Sequence, residues 1–148
     1  EGGRRHLKRL QRRYHDFDPA VAPRLAAGAC LPSAWYLEAQ AVRRSLQNRV
    51  RSLFDDFDIL VAPATPITAP LRGQKTFEFK GQTLPVRPNM GVFTQPVSFF
   101  GLPVLTVPVY PAEGMPVGVQ LIAAPFREDL LLQAAISLEM DGVVGSPN

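Results

Sequence analysis

The sequence predicts an α/β protein with a basic, helical first third and a nearly neutral, apolar remainder. Three observations carry that expectation. Before Asp58, apolar residues recur at steps of three and four, the period of a helix face. Beyond it, short apolar runs bounded by prolines read as buried strands. From Arg127 the helical period returns.

The bulk numbers are compatible with one folded unit. At 148 residues the chain is about one domain in size and long enough to bury a core. It is 46% hydrophobic and 20% charged, with 15 prolines, about twice the usual share of ~5%. Those prolines lie between apolar runs, so they punctuate a fold. Eleven of the sixteen Lys and Arg precede residue 52 (Arg4, Arg5, Lys8, Arg9, Arg12, Arg13, Arg24, Arg43, Arg44, Arg49, Arg51). The single cysteine, Cys30, excludes an internal disulfide and fits a reducing compartment. No run reaches the ~20 apolar residues of a membrane span, and no signal-type segment opens the sequence. No membrane is therefore expected, and a cytoplasmic location is.

Arg4–Asp18 reads as a polar helix with a thin stripe at Leu7, Leu10, Tyr14 and Phe17, ended by Pro19 and Pro23. The longest helix follows, with Ser33 as its N-cap. Trp35, Ala39, Val42, Leu46, Val50, Leu53 and Phe57 form its apolar face, with Arg43, Arg44 and Arg51 off it. Ile59–Ala62 is a short apolar strand stopped by Pro63 and Pro66, in a sheet covered on both faces. Phe77 and Phe79 alternate with charged residues before Lys80-Gly81, a small hairpin.

The run "TQPVSFFGLPVLTVPVY" (Thr94–Tyr110) holds three prolines in an almost uncharged stretch. It resolves into a short helix or turn over Phe93–Phe100, a breaker at Gly101-Leu102-Pro103, and a strand over Val104–Val107 closed by Pro108. On this reading every proline marks a boundary. Val117–Ala123 is a further buried strand. The last helix carries Leu130, Leu131, Ala134, Ala135 and Leu138 on one face and acids in its first turn, where the helix dipole favours them.

No catalytic set is visible by spacing. His6 and His15 lie without patterned ligands, and ordinary surface histidines are the plainer reading. Asp55, Asp56 and Asp58 crowd a helix–strand junction, where capping and solvation compete with a shared site. Ser33, Ser45, Ser52, Ser98, Ser137 and Ser146 lack nucleophile-elbow surroundings. Cys30 reads as structural. The basic first helix lacks the interleaved aromatics of a single-strand platform, so nucleic acid is not the expected partner.

Three stretches in order resemble the amidase signature family: "DFDILVAPATPITAP" (Asp56–Pro70), "TQPVSFFGLPVLTVPV" (Thr94–Val109) and "MPVGVQLIAAPFREDLLLQAAISLE" (Met115–Glu139). The shared features are Pro-x-Thr-Pro after a strand, Gly-Leu-Pro before a strand ending in Val-Pro, and a Pro-Val-Gly-Val-Gln strand leading to the last helix. "VRPNMGVFTQPVSFFGLPV" (Val86–Val104) is most similar to carboxybiuret hydrolase-type members. The resemblance implies the C-terminal portion of the amidase-signature fold, a mixed sheet flanked by helices. Residues 1–55 would form a basic helical part and 56–148 the α/β core and pocket wall.

It also implies hydrolysis of a C–N amide bond of a small, carboxylated urea- or biuret-like substrate, with no metal and no cofactor. In the family a Ser-Ser-Lys triad does this through an acyl-enzyme. The triad serines belong to a Gly/Ser-rich stretch that this sequence does not contain. Lys8, Lys75 and Lys80 stand in other contexts, so no catalytic residue carries over. The 148 residues alone are expected to be inactive, to need the N-terminal portion of the same amidase as partner, and to aggregate or stay partly unfolded in isolation. A small partner subunit is a further implied partner. The alternatives are the amidase subunit of an aminoacyl-tRNA amidotransferase, whose basic helices would meet RNA, and a non-catalytic binding domain of the same fold.

The family's C-terminal part supplies one wall of the substrate pocket. Candidates here are polar groups in apolar surroundings: Thr65 after the first strand, and Asn89, Thr94, Gln95 and Ser98 around the turn before Gly101. An unpaired buried amide or hydroxyl costs ~1–3 kcal/mol, so each must bond either backbone or ligand. Gln95 leads, because a primary amide both donates to and accepts from an amide substrate. Arg87 is a candidate for an acidic substrate group.

Overall fold

The computed structural model describes residues 2–145; Ser146 lies outside them. The chain divides into two compact units, residues 1–44 and 45–148.

In the first unit, α1 (Gly2–Arg13) packs on α2 (Ala22–Ala29). The contact is backbone against backbone. A Cβ added to Gly3 would stand 2.3 Å from the Ala29 nitrogen and 2.6 Å from the Leu25 carbonyl oxygen. Leu10 is buried on α1, whereas Leu7 and Tyr14 are exposed. Pro23 does not end the first helix, as the sequence suggests; it lies in the first turn of α2, where a missing N–H goes unneeded. The chain leaves α1 through a short 3-10 turn at Tyr14–Asp16. Asp18 Oδ1 then accepts the Ala20 amide at 2.7 Å.

Helix α3 spans Ser33–Arg51, with Ser33 as its first residue. It passes into a 3-10 turn at Ser52–Asp55, so Phe57 lies beyond the helix on which its spacing had placed it. The expected apolar stripe exists but stays largely open: Trp35 is 63% exposed, and Val42, Leu53 and Phe57 are also exposed.

The second unit is built on a three-stranded sheet of order β1-β5-β4, with β1 Ile59–Pro63, β4 Val104–Val109 and β5 Val117–Ala123. All pairing among the described residues is antiparallel. The central strand β5 is buried from Gln120 to Ala123, as the continuous apolar run predicts. Pro108 does not close the preceding strand. It sits inside β4, opposite Gly118, which an edge strand tolerates because an unpaired N–H is not missed there. Pro63 ends β1, the other edge.

Helix α6 (Glu128–Met140) covers one face of β4 and β5. Leu131 inserts among Val107, Leu121 and Ala123, with Ala134, Ala135 and Leu138 packed alongside. Its acidic start is local: the hydrogen bond from Arg127 holds the Asp129 carboxyl below the usual carboxylate range, and Asp129 in turn raises the guanidinium. The opposite face of α6 is apolar too, with Leu132, Ile136 and Met140 all exposed.

The hairpin forms as its sequence predicts, from β2 (Thr76–Phe79) and β3 (Gln82–Pro85). Lys80 and Gly81 both have positive φ, 49° and 75°, the two-residue turn whose twist matches the strands. Phe77 is buried beside Phe79. After α4 (Val86–Asn89) comes α5 (Gln95–Phe100), with Pro96 in its first turn. Gly101 ends α5 at φ 70°, its N–H bonding the Val97 and Ser98 carbonyls, a left-handed cap that glycine takes without a Cβ penalty.

In the full-length protein, Leu131→Ala is expected to cost about 2–5 kcal/mol of unfolding free energy by denaturant titration. Leu131→Met should cost less than about 1.5 kcal/mol, because it keeps the volume.

Candidate functional site

The second unit bears an open, apolar hollow of ≈ 420 Å³ lined by Leu46, Val92, Gln95, Pro96, Phe99 and Phe100. Helix α5 supplies four of these six residues. No charged side chain lines it, so the Gln95 amide is its one polar side chain. Among the described residues that amide has no hydrogen-bond partner. It lies over Gly91, where an added Cβ would stand 3.3 Å from Gln95 Nε2. A free primary amide set in an apolar groove can donate to a carbonyl and accept from an N–H. That is the pair of functions a urea or amide group presents.

The six residues singled out by sequence separate into two groups. Three bond backbone: Thr65 Oγ1 donates to the Ile67 carbonyl at 2.7 Å, Thr94 Oγ1 to Gly91 at 3.2 Å and Asn89 Nδ2 to Pro85 at 2.8 Å. These side chains shape their own turns. The side chains of Gln95, Ser98 and Arg87 bond no partner among the described residues. Of these three only Gln95 lines the hollow. All three are exposed, Gln95 and Ser98 on α5 and Arg87 on α4. Lys8, Lys75 and Lys80 are all exposed. Among the described residues no group of three or more His, Cys, Asp or Glu could hold a metal. No helix among them is long and apolar enough to cross a membrane.

Two further glutamines bond main-chain carbonyls at either side of α5, and the sequence reading missed both. Gln47 on α3 donates from Nε2 to the Phe100 carbonyl at 2.9 Å, holding the C-terminal end of α5. Gln120 on β5 is 1% exposed and donates to the Pro63 carbonyl at 2.8 Å and the Phe93 carbonyl at 3.2 Å. The signal for Gln120 was present. A primary amide in the middle of "VGVQLIA" must find partners once buried.

The chain belongs to the amidase family, whose model matches residues 6–132. It is 50% identical over 145 residues to AtzE, the 1-carboxybiuret hydrolase subunit of Pseudomonas sp. (strain ADP), a match covering 97% of this chain and 32% of that protein. It is 37% identical over 134 residues to a glutamyl-tRNA(Gln) amidotransferase subunit of Syntrophomonas wolfei, covering 87% and 26%. Among solved structures, a vestigial protein complex described as revealing the origins of an s-triazine catabolic enzyme superposes with TM-score 0.93. It is 49% identical and covers 100% of this chain and 33% of that one. A crystal structure of an amidase gives TM-score 0.85 at 30% identity, covering 97% and 32%. The chain therefore spans about a third of the length of the relatives it matches.

Thr65→Val, which removes a hydroxyl bonded to the backbone, should cost about 1 kcal/mol of stability. Gln95→Ala, which removes an unpartnered amide, should change stability by less than about 0.5 kcal/mol. Denaturant melts of the two variants in the full-length protein separate these expectations.

Proposed function

We propose that this chain is the C-terminal third of a cytoplasmic amidase that hydrolyses a C–N bond of a small, carboxylated urea- or biuret-like substrate. Its residues 56–145 supply one wall of the substrate pocket. The observation that carries the proposal is the unpartnered Gln95 amide in the apolar groove of α5, in a chain 50% identical to a carboxybiuret hydrolase component. Gln95 holds the substrate's amide by donating one hydrogen bond and accepting another. The nucleophile attacks the carbonyl carbon, the amine leaves with a proton, and water releases the acyl group. The nucleophile and base lie outside these 148 residues. The exposed free thiol of Cys30 is consistent with a reducing compartment.

Unspent apolar surface supports the view that more chain packs on this one. Leu132, Ile136 and Met140 stripe the outer face of α6, Val61 is bare on β1, and Phe126 is 91% exposed in a left-handed conformation, φ 66°. A soluble protein rarely leaves such a set uncovered. A partner subunit is a further part of the proposal, since the relatives include a protein complex and a hydrolase subunit. A second reading, the amidase component of an amidotransferase, is favoured by the 37% identity to the Syntrophomonas wolfei protein.

The full-length protein should release ammonia from a carboxylated biuret at least tenfold faster than from the uncharged parent amide. Transfer of glutamine-derived ammonia to aminoacyl-tRNA, with no release from the biuret, would support the second reading instead. Produced alone, residues 1–148 should bind the apolar dye ANS strongly and melt without a sharp transition. A reversible two-state melt of the isolated monomer counts against the larger body.

A further inference from the structure

We propose that Gln120 is a positioning residue for substrate binding: its buried amide fixes the turn that presents Gln95. This rests on the reading of Gln95 given above. Helix α5 has six residues, too few to be stable by itself, so its place must come from outside. The Gly91–Gln95 turn folds on local bonds, with the Thr94 and Gln95 amides both donating to the Gly91 carbonyl at 3.1 and 2.9 Å. Those bonds set the turn's shape but not its position on the sheet. The Phe93 carbonyl in the middle of that turn accepts from Gln120 Nε2.

The same nitrogen spends its other hydrogen on the Pro63 carbonyl at the end of β1. A single nitrogen therefore joins the central strand, an edge strand and the turn before α5. The backbone is shaped for it. In register, Gln120 lies between Ala62 of β1 and Thr106 of β4. Two residues earlier, a Cβ on Gly118 would stand 3.0 Å from Ala64 Cβ and 3.1 Å from Thr106 Cγ2. The Ala64 amide donates to the Gly118 carbonyl at 2.8 Å. Glycine thus lets the chain after β1 close onto β5 and brings Pro63 within reach. With Gln47 holding Phe100 at the other end, α5 is tethered at both ends by glutamine amides. The Gln120 side chain is 1% exposed and Gln47 is half-buried.

The test uses the full-length protein and two variants: Gln120→Met, which keeps the volume and loses both donors, and Gln120→Asn, which keeps the donors on a shorter stem. Hydrogen exchange followed by mass spectrometry should show residues 91–98 exchanging about tenfold faster in Gln120→Met, with 128–140 unchanged. Gln120→Asn should fall between it and the wild type. If Gln120→Met does not fold, Gln120→Asn decides alone by the same local acceleration. On the carboxylated biuret, Gln120→Met should raise KM about tenfold and leave kcat within twofold. Combined with Gln95→Ala it should add little further loss, since the two act on one contact. Exchange that is unchanged at 91–98, or equally accelerated over 128–140, would overturn the proposal, as would fully additive losses. Local acceleration in a protein that does not hydrolyse the biuret would keep the tether and remove the substrate reading.

Discussion

The second unit depends on one buried amide. Gln120 stands where the sheet needs an apolar residue and takes instead two main-chain acceptors from segments 27 and 57 residues away. Both bonds are partly buried, so replacing the amide by an apolar side chain costs about 1–3 kcal/mol. Its two bonds join the end of β1 and the Gly91–Gln95 turn to the central strand. Gly118 enables it by the absence of a side chain, and the Gln47 bond completes it at the other end of the helix.

Around that amide the apolar packing is lopsided. One face of β4 and β5 is closed by α6 through Leu131, which packs with Val107, Leu121 and Ala123. The outer stripe of α6, the bare Val61 and the open face of α3 carry the same residue types without cover. A helix apolar on two sides belongs between two layers. The Gln95 groove has a corresponding character. It has an apolar floor and one amide but no acid, base or nucleophile, which suits a wall that binds a substrate while other residues perform the chemistry.

Much of this was legible in the sequence, where local physics decides. Proline-bounded apolar runs located β1, β4 and β5, Lys80-Gly81 located the hairpin turn, and the period after Arg127 located α6 and its buried face. What escaped was non-local. Pro108 reads as a stop until the strand order makes β4 an edge. Pro23 reads as a stop unless Ala22–Ala29, rich in alanine and poor in periodic apolar residues, is known to be a helix. The long helix ends at Arg51 and not near Phe57, since the Ser52–Asp55 turn tightens into 3-10 geometry. Among the site candidates, residue type alone left open whether Thr65, Thr94 and Asn89 bond backbone or ligand, and their turns decide for backbone. Gln120 escapes a reading of strand ends because it is mid-strand, and only the fold brings the Pro63 and Phe93 carbonyls to it.

The central claim is that the groove of α5 is a wall of the substrate pocket. The most direct measurement is hydrogen exchange of the full-length protein with and without a saturating, non-hydrolysable carboxylated urea. Protection should concentrate in residues 91–100. Protection elsewhere in the protein with 91–100 unchanged would contradict the account.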